Sequence, residues 1–165
     1  KECDSFRLKE GKVLQEKLAA YIEAIRLALE AVIKLDPIRV EKIRQRIKNN
    51  LLTFIDEEDI DKNRLEQELV YYIEKLDITE EKVRLKNHLN HFVEVLNSSA
   101  SAGKKLGFIS QEIGREINTI GSKANDSEIQ KQVVGMKEEL EKEKEAHELT
   151  KQELEVAQKL IRLTC

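Results

Sequence analysis

Apolar side chains recur three and four positions apart along almost the whole chain, a periodicity that only packed helices use. Leu14, Leu18, Ile22, Ile25, Leu29, Val32 and Ile33 mark one helical face, so a first helix is expected from about residue 5 to residue 34. Asp36 and Pro37 come next and predict a break, with Asp as N-cap and Pro at the first helical position, where its missing amide is tolerated. A second helix through Val40, Ile43, Ile47, Leu51 and Phe54 carries Arg39, Lys42, Arg44, Arg46 and Lys48 and ends at the acidic loop "DEEDID", residues 56–61. A third takes Leu65, Leu69, Tyr72, Ile73 and Leu76. Thr79 is expected to cap a fourth, with Glu80 and Glu81 in the first turn, where the helix dipole favours anions. The small-residue stretch "NSSASAG", residues 97–103, predicts a loop. A fifth helix should run over 104–120 with Gly121 as its C-cap, and Asp126 or Ser127 should cap a sixth.

Composition supports that reading. The chain is 40% hydrophobic and 37% charged with 4% aromatics, a profile that suits long amphipathic helices and disfavours a sheet. The expected fold is all-α, an antiparallel bundle of about five to six helices with a long, protruding C-terminal helix. Residues 5–142 form the helical domain and 143–165 an extension that suits oligomerisation. Within the last helix, "EELEKEKEAHE", residues 138–148, reads as a solvated stretch held by Glu–Lys pairs, after which Leu149, Leu154, Leu160 and Ile161 restore an apolar face. The net charge of −3 excludes a uniformly basic nucleic-acid binder but leaves room for local basic patches. Cys3 and Cys165 sit at opposite ends without metal-ligand spacing, as reduced thiols of a cytoplasmic protein would. No apolar run approaches the roughly 18 residues of a membrane span. The chain opens without Met in what reads as mid-helix, which is expected of a fragment.

Chemistry concentrates in "GREINTIGSKANDSEIQ", residues 114–130, and just before it. Glu112 and Glu116 are four apart on one helix face with Arg115 beside them. Like charges at that spacing destabilise a helix mildly unless a cation lies between them, and a hard divalent metal is one such cation. A solvated face with a local Arg–Glu pair is the commoner explanation. Gly114 inside a helix predicts close approach by another helix or a ligand. In "HLNH", His88 and His91 stand three apart, a spacing that allows one metal but more often puts one ring on the core and one in water. The basic second helix suits contact with a polyanion, and Tyr71 or Tyr72 could stack on bases. "DEEDID" lacks the Gly and distal Glu of a calcium loop.

Taken together, "LDITEEKVRLKNHLNHF" (76–92), "GKKLGFISQEIGREINTIGSKAND" (103–126) and "VVGMKEELEK" (133–142) resemble the C-terminal half of the YicC/YloC endoribonuclease family. The opening "RLKEGKVLQEKL" (7–18) is similar to that family as well, and "NTIGSKAND" is the most specific block. The resemblance implies cytoplasmic, divalent-metal-dependent cleavage of single-stranded RNA by a homo-oligomer, a hexamer in the family, with no membrane and no DNA partner. It carries Glu112, Arg115, Glu116, Asn118, Thr119, Lys123, Asp126 and His88 as matching positions. On that basis Glu112, Glu116 and Asp126 are expected to hold Mn²⁺ or Mg²⁺, with Glu112, Glu116, Arg115 and His88 acting in catalysis. Arg84, Lys86, Lys104, Lys105, Arg115 and Lys123 are the expected RNA contacts. The alternative is a non-catalytic helical module for assembly or RNA binding.

Overall fold

A computed structural model describes residues 2–53, 61–98 and 103–164, with side chains described for 11–53, 61–98 and 103–149. It contains five helices: α1 (Glu2–Leu52), α2 (Lys62–Lys75), α3 (Thr79–Leu96), α4 (Gly103–Ala124) and α5 (Ser127–Thr164), with no strand among the described residues. The all-α bundle is therefore as expected. Helices α1, α3, α4 and α5 pack around one core, and α2 lies to the side against α1. Leu18, Ile22, Ile25, Leu29, Leu85, Leu89, Phe92, Ile113, Ile117, Ile120, Val133 and Met136 fill that core.

Side-chain bonds fix the alternation of direction. Gln15, early in α1, donates to Leu96 O (3.3 Å) and Asn97 Oδ1 (2.9 Å) at the far end of α3, and Arg26 donates to Asn90 Oδ1 at 2.7 Å. Further along α1, Arg39 reaches Leu76 O, just before α3 begins. So α1 and α3 run antiparallel. Lys123 at the end of α4 meets Glu81 at the start of α3, while Gly121, Gly114 and Gly103 of α4 face Val133, Leu140 and His147 of α5 in turn. Those neighbours are antiparallel too.

The break at Pro37 does not occur. Helix α1 runs through it, although proline removes one backbone hydrogen bond and disfavours helical backbone in the residue before it, at a cost of roughly 3 kcal/mol. Asp36 is not an N-cap; it is buried within α1. Its carboxylate accepts from Arg39 Nε (3.0 Å) and Nη2 (2.6 Å) and from Lys82 Nζ of α3 (2.5 Å). Arg39, only 2% exposed, also donates to Leu76 O (3.0 Å) and Ala124 O (2.9 Å). Those are carbonyls at the C-terminal ends of α2 and α4, where no intrahelical donor remains. Arg39 is thus no member of a solvated basic stripe; Lys42, Arg44, Arg46 and Lys48 are exposed as expected.

Two more caps differ from expectation. Thr79 is the first residue of α3, and Asp77 Oδ1 accepts from its amide (3.3 Å) and hydroxyl (2.7 Å). Helix α4 passes Gly121 and ends at Ala124, and Asn125 takes the left-handed conformation (φ 44°) that Gly121 was expected to supply. Gly121 serves contact instead, since a Cβ there would lie 3.0 Å from Val133 Cγ1. Gly114 is the close approach anticipated, 3.2 Å from Leu140 Cδ2 by the same measure. Asp126 does cap α5, accepting from the amides of Glu128 (2.9 Å) and Ile129 (3.0 Å). Asp61 caps α2, whereas residues 54–60, which take in most of the acidic loop, residues 99–102 of the expected small-residue loop, Cys165, and the side chains of Cys3 and of the tail after Leu149 lie outside the described set.

The charged stretch of α5 is not wholly solvated. Glu143 is 1% exposed with Oε2 lacking a hydrogen-bond partner among the described residues, and His147, one turn on, packs beside Gly103 and Gly107. Burial raises the Glu143 carboxyl above its ordinary value, with the Ser110 hydroxyl opposing. A carboxyl raised in the native state loses stability as pH rises through that raised value. Glu143→Gln should therefore stabilise the protein by about 1 kcal/mol at neutral pH. The gain should shrink as pH falls through that raised value toward 4.5, because Glu143 then takes up its own proton, and urea melts across that range check it.

Candidate active site

The seam between α3 and α4 gathers most of the anticipated residues. On α3, Glu81, Arg84 and His88 are spaced three and four apart, so they share one face. On α4, Glu112, Glu116 and Lys123, four and seven apart, also share one face. Because the helices are antiparallel, Lys123 lies opposite Glu81, and Glu116 lies within the electrostatic reach of Arg84 and His88.

Glu116 is 8% exposed and accepts no hydrogen bond from any described residue. Burial pushes its carboxyl up; Arg84 and His88 oppose the shift, and Glu81 and Glu112 add to it. Glu81 is 5% exposed, its Oε1 accepts from Lys123 Nζ at 2.6 Å, and its Oε2 is buried with no partner among the described residues. Two buried carboxylates thus line the same seam within electrostatic reach of each other, Glu81 beside Lys123 and Glu116 toward Arg84 and His88. Buried carboxylate oxygens short of hydrogen-bond donors attract cations.

The remaining residues divide. Arg115 is exposed and lies 3.4 Å from Glu112, an i,i+3 pair on the outer edge of the seam. Arg84 forms a short contact with the Glu80 carboxylate at the surface. Lys104 and Lys105 are exposed at the start of α4. Lys86 is exposed two residues before His88, roughly 200° round the helix, and so points away from the seam. His91 turns to Glu94 (3.4 Å) while His88 is half-buried near Glu116, so the two rings serve different neighbours. Tyr71 is exposed under the Lys75 ammonium, 4.4 Å from its ring centre.

Asp126 is not brought to the two glutamates. Ala124 alone is eight residues past Glu116, about 12 Å along the helix axis, and the Asp126 carboxylate is occupied by the first amides of α5. Among the described residues no three His, Cys, Asp or Glu side chains form a metal-ligand group. The seam fits a hard cation that keeps most of its water and takes one or two carboxylates, with the orphaned Glu81 oxygen as an available ligand. It does not fit a three-carboxylate cage.

Glu81 was read from sequence as a first-turn acid. The signal available was its register: Ile78, Glu81, Leu85, Leu89 and Phe92 follow the core periodicity, so a carboxylate stands where an apolar residue belongs.

Residues 32–148 match the family described as "Endoribonuclease YicC-like, C-terminal". A "Probable endoribonuclease YicC" of Clostridioides difficile (strain 630) is 39% identical over 140 residues, 84% of this chain and 48% of the relative. The protein of the same description from Haemophilus influenzae (strain ATCC 51907 / DSM 11121 / KW20 / Rd) is 29% identical over 142 residues, 86% of this chain and 48% of the relative. The chain spans about half the length of the curated relatives it matches.

Proposed function

Because this chain belongs to the YicC-like endoribonuclease family through its C-terminal domain, we propose that it cleaves single-stranded RNA with a divalent cation at the α3–α4 seam. The supporting observation is the pair of buried carboxylates, Glu81 and Glu116, set between cations that suit phosphate. Glu116 and Glu81 would hold Mn²⁺ or Mg²⁺, with Glu112 at the edge; such an ion activates water and neutralises phosphoryl charge when bound. Lys123 and Arg84 then bind the scissile phosphate, and Arg115 holds the strand as it leaves the seam. His88, beside Glu116, moves the proton to or from the reacting oxygens. The protein works in the cytoplasm as a homo-oligomer in this reading, and no helix among the described residues is long and apolar enough to cross a membrane.

A second reading, an assembly and RNA-binding module without cleavage, has its own support. Val13, Leu27, Ile38 and Leu52 are exposed on α1, roughly whole numbers of helical turns apart, on the side away from the core. The two readings separate when the chain is titrated into end-labelled single-stranded RNA with Mn²⁺, Mg²⁺ or EDTA and both bound and cleaved RNA are followed. Metal-dependent cleavage is expected. Binding that is indifferent to chelator and falls steeply with salt favours the module; neither binding nor cleavage removes RNA from the account of this chain.

A further inference from the structure

Helix α4 exposes one large apolar side chain, Phe108, with 68% of its surface in water. Its neighbours one turn away on the outer face are Lys104, Lys105, Gln111 and Glu112, and Arg115 is two turns on. A surface meant for another protein helix would repeat apolar residues at those spacings. Here they are polar, and three of the five are cationic. An isolated exposed aromatic among lysines and an arginine matches single-stranded nucleic acid, which offers phosphates to the cations and a flat base to the ring. The position suits the seam as well. Phe108 precedes Glu116 by eight residues, about 12 Å along the axis, and lies roughly 40° round the helix from Glu112. A strand whose phosphate sits at Lys123 and Arg84 would pass over Phe108 on its way to Lys104 and Lys105.

We propose that Phe108 is a base-stacking platform that holds the RNA strand beside the α3–α4 seam, with Lys104, Lys105 and Arg115 gripping the phosphates on either side of it. The proposal rests on the RNA-cleavage reading above. Phe108 acts on binding and register, and takes no part in the chemical step. Stacking on an aromatic ring is tolerant of base identity, so Phe108 adds affinity without a sequence preference.

The chain contains no tryptophan, so Phe108→Trp places a single fluorescent reporter at the platform. In EDTA, a short single-stranded oligoribonucleotide should quench that tryptophan, whereas an abasic ribose-phosphate oligomer of equal length should bind without quenching. Phe108→Ala should weaken binding of the base-bearing RNA roughly five- to 150-fold, with the salt dependence unchanged. It should leave binding of the abasic oligomer as in the parent protein. Arg115→Ala should instead reduce the salt slope. Equal affinity of Phe108→Ala and the parent for base-bearing RNA overturns the platform while leaving the cleavage reading intact. A change in molecular mass of Phe108→Ala by light scattering, with RNA affinity unchanged, assigns the residue to an interface between copies and overturns it too. No RNA binding by the parent protein overturns both readings.

Discussion

Glu116→Gln is expected to lower RNA cleavage about 10²- to 10⁴-fold while the protein stays folded. The two halves of that result have a common cause. Glu116 sits in the seam with its carboxyl raised, first by burial and then by Glu81 and Glu112. Ionising it in the native state therefore opposes folding, and the stability it withholds is lost as pH rises above its ordinary value of 4.5. The amide removes that penalty, so urea melts at neutral pH should show the variant equal to or more stable than the parent. A residue that weakens the fold it sits in is best explained by what it does there. The pH dependence follows the same logic. Cleavage should rise with pH as Glu116 ionises, and Arg84→Met, which removes the larger of the two opposing cations, should move that rise to higher pH. A Glu116→Gln variant that cleaves as the parent does would remove the seam from the mechanism. A variant that unfolds would make Glu116 a structural acid.

Arg39→Ala should be the most damaging single change to stability, at about 3–5 kcal/mol. For a chain of this size that corresponds to a fall in Tm of roughly 6–20 °C. The guanidinium has four hydrogen bonds within the fold, two to Asp36, one to Leu76 O and one to Ala124 O. Truncation leaves Asp36 buried with Lys82 as its remaining ion partner and strands two carbonyls at helix ends. Arg39→Lys should recover only part of the loss, because an ammonium cannot present the planar fork that reaches three elements at once. The double variant Asp36→Leu, Arg39→Met should be far less damaging than Arg39→Ala, since a buried pair replaced by apolar groups leaves no unpaired charge. A loss below about 1 kcal/mol for Arg39→Ala in thermal and urea melts would show that the network is not what carries α1 through Pro37.

The helical class, the approximate number of helices and the closeness of Gly114 to another helix were all legible in the sequence. Each is a local matter. A repeat of three and four or a glycine in a helix registers within one or two turns. The cationic end of α4, the Glu112–Arg115 pair and the Asp126 cap belong to the same class, since all are decided by neighbours in the chain.

What the sequence alone left open has one recurring form. Asp36 and Arg39 continue the register of Val32 and Ile43, Glu81 that of Ile78 and Leu85, Glu116 that of Ile113 and Ile120, and Glu143 that of Met136 and Leu140. Periodicity says that each of these charged side chains points inward, but it cannot say what meets it there. Partners far along the chain decide that: Ala124 and Leu76 for Arg39, Lys82 for Asp36, Lys123 for Glu81. For Glu116 and one oxygen each of Glu81 and Glu143 the fold supplies no hydrogen-bond partner among the described residues. The same long-range contacts explain why Asp36–Pro37 reads as a break and folds as a continuous helix. Local propensity opposes a helix there by a few kcal/mol, and a buried ion network with core on both sides outweighs it. The amphipathic pattern thus determined which residues enter the interior, whereas the tertiary structure decided which charges are neutralised there and which remain to act on a ligand, because that depends on groups that only packing brings within hydrogen-bond distance.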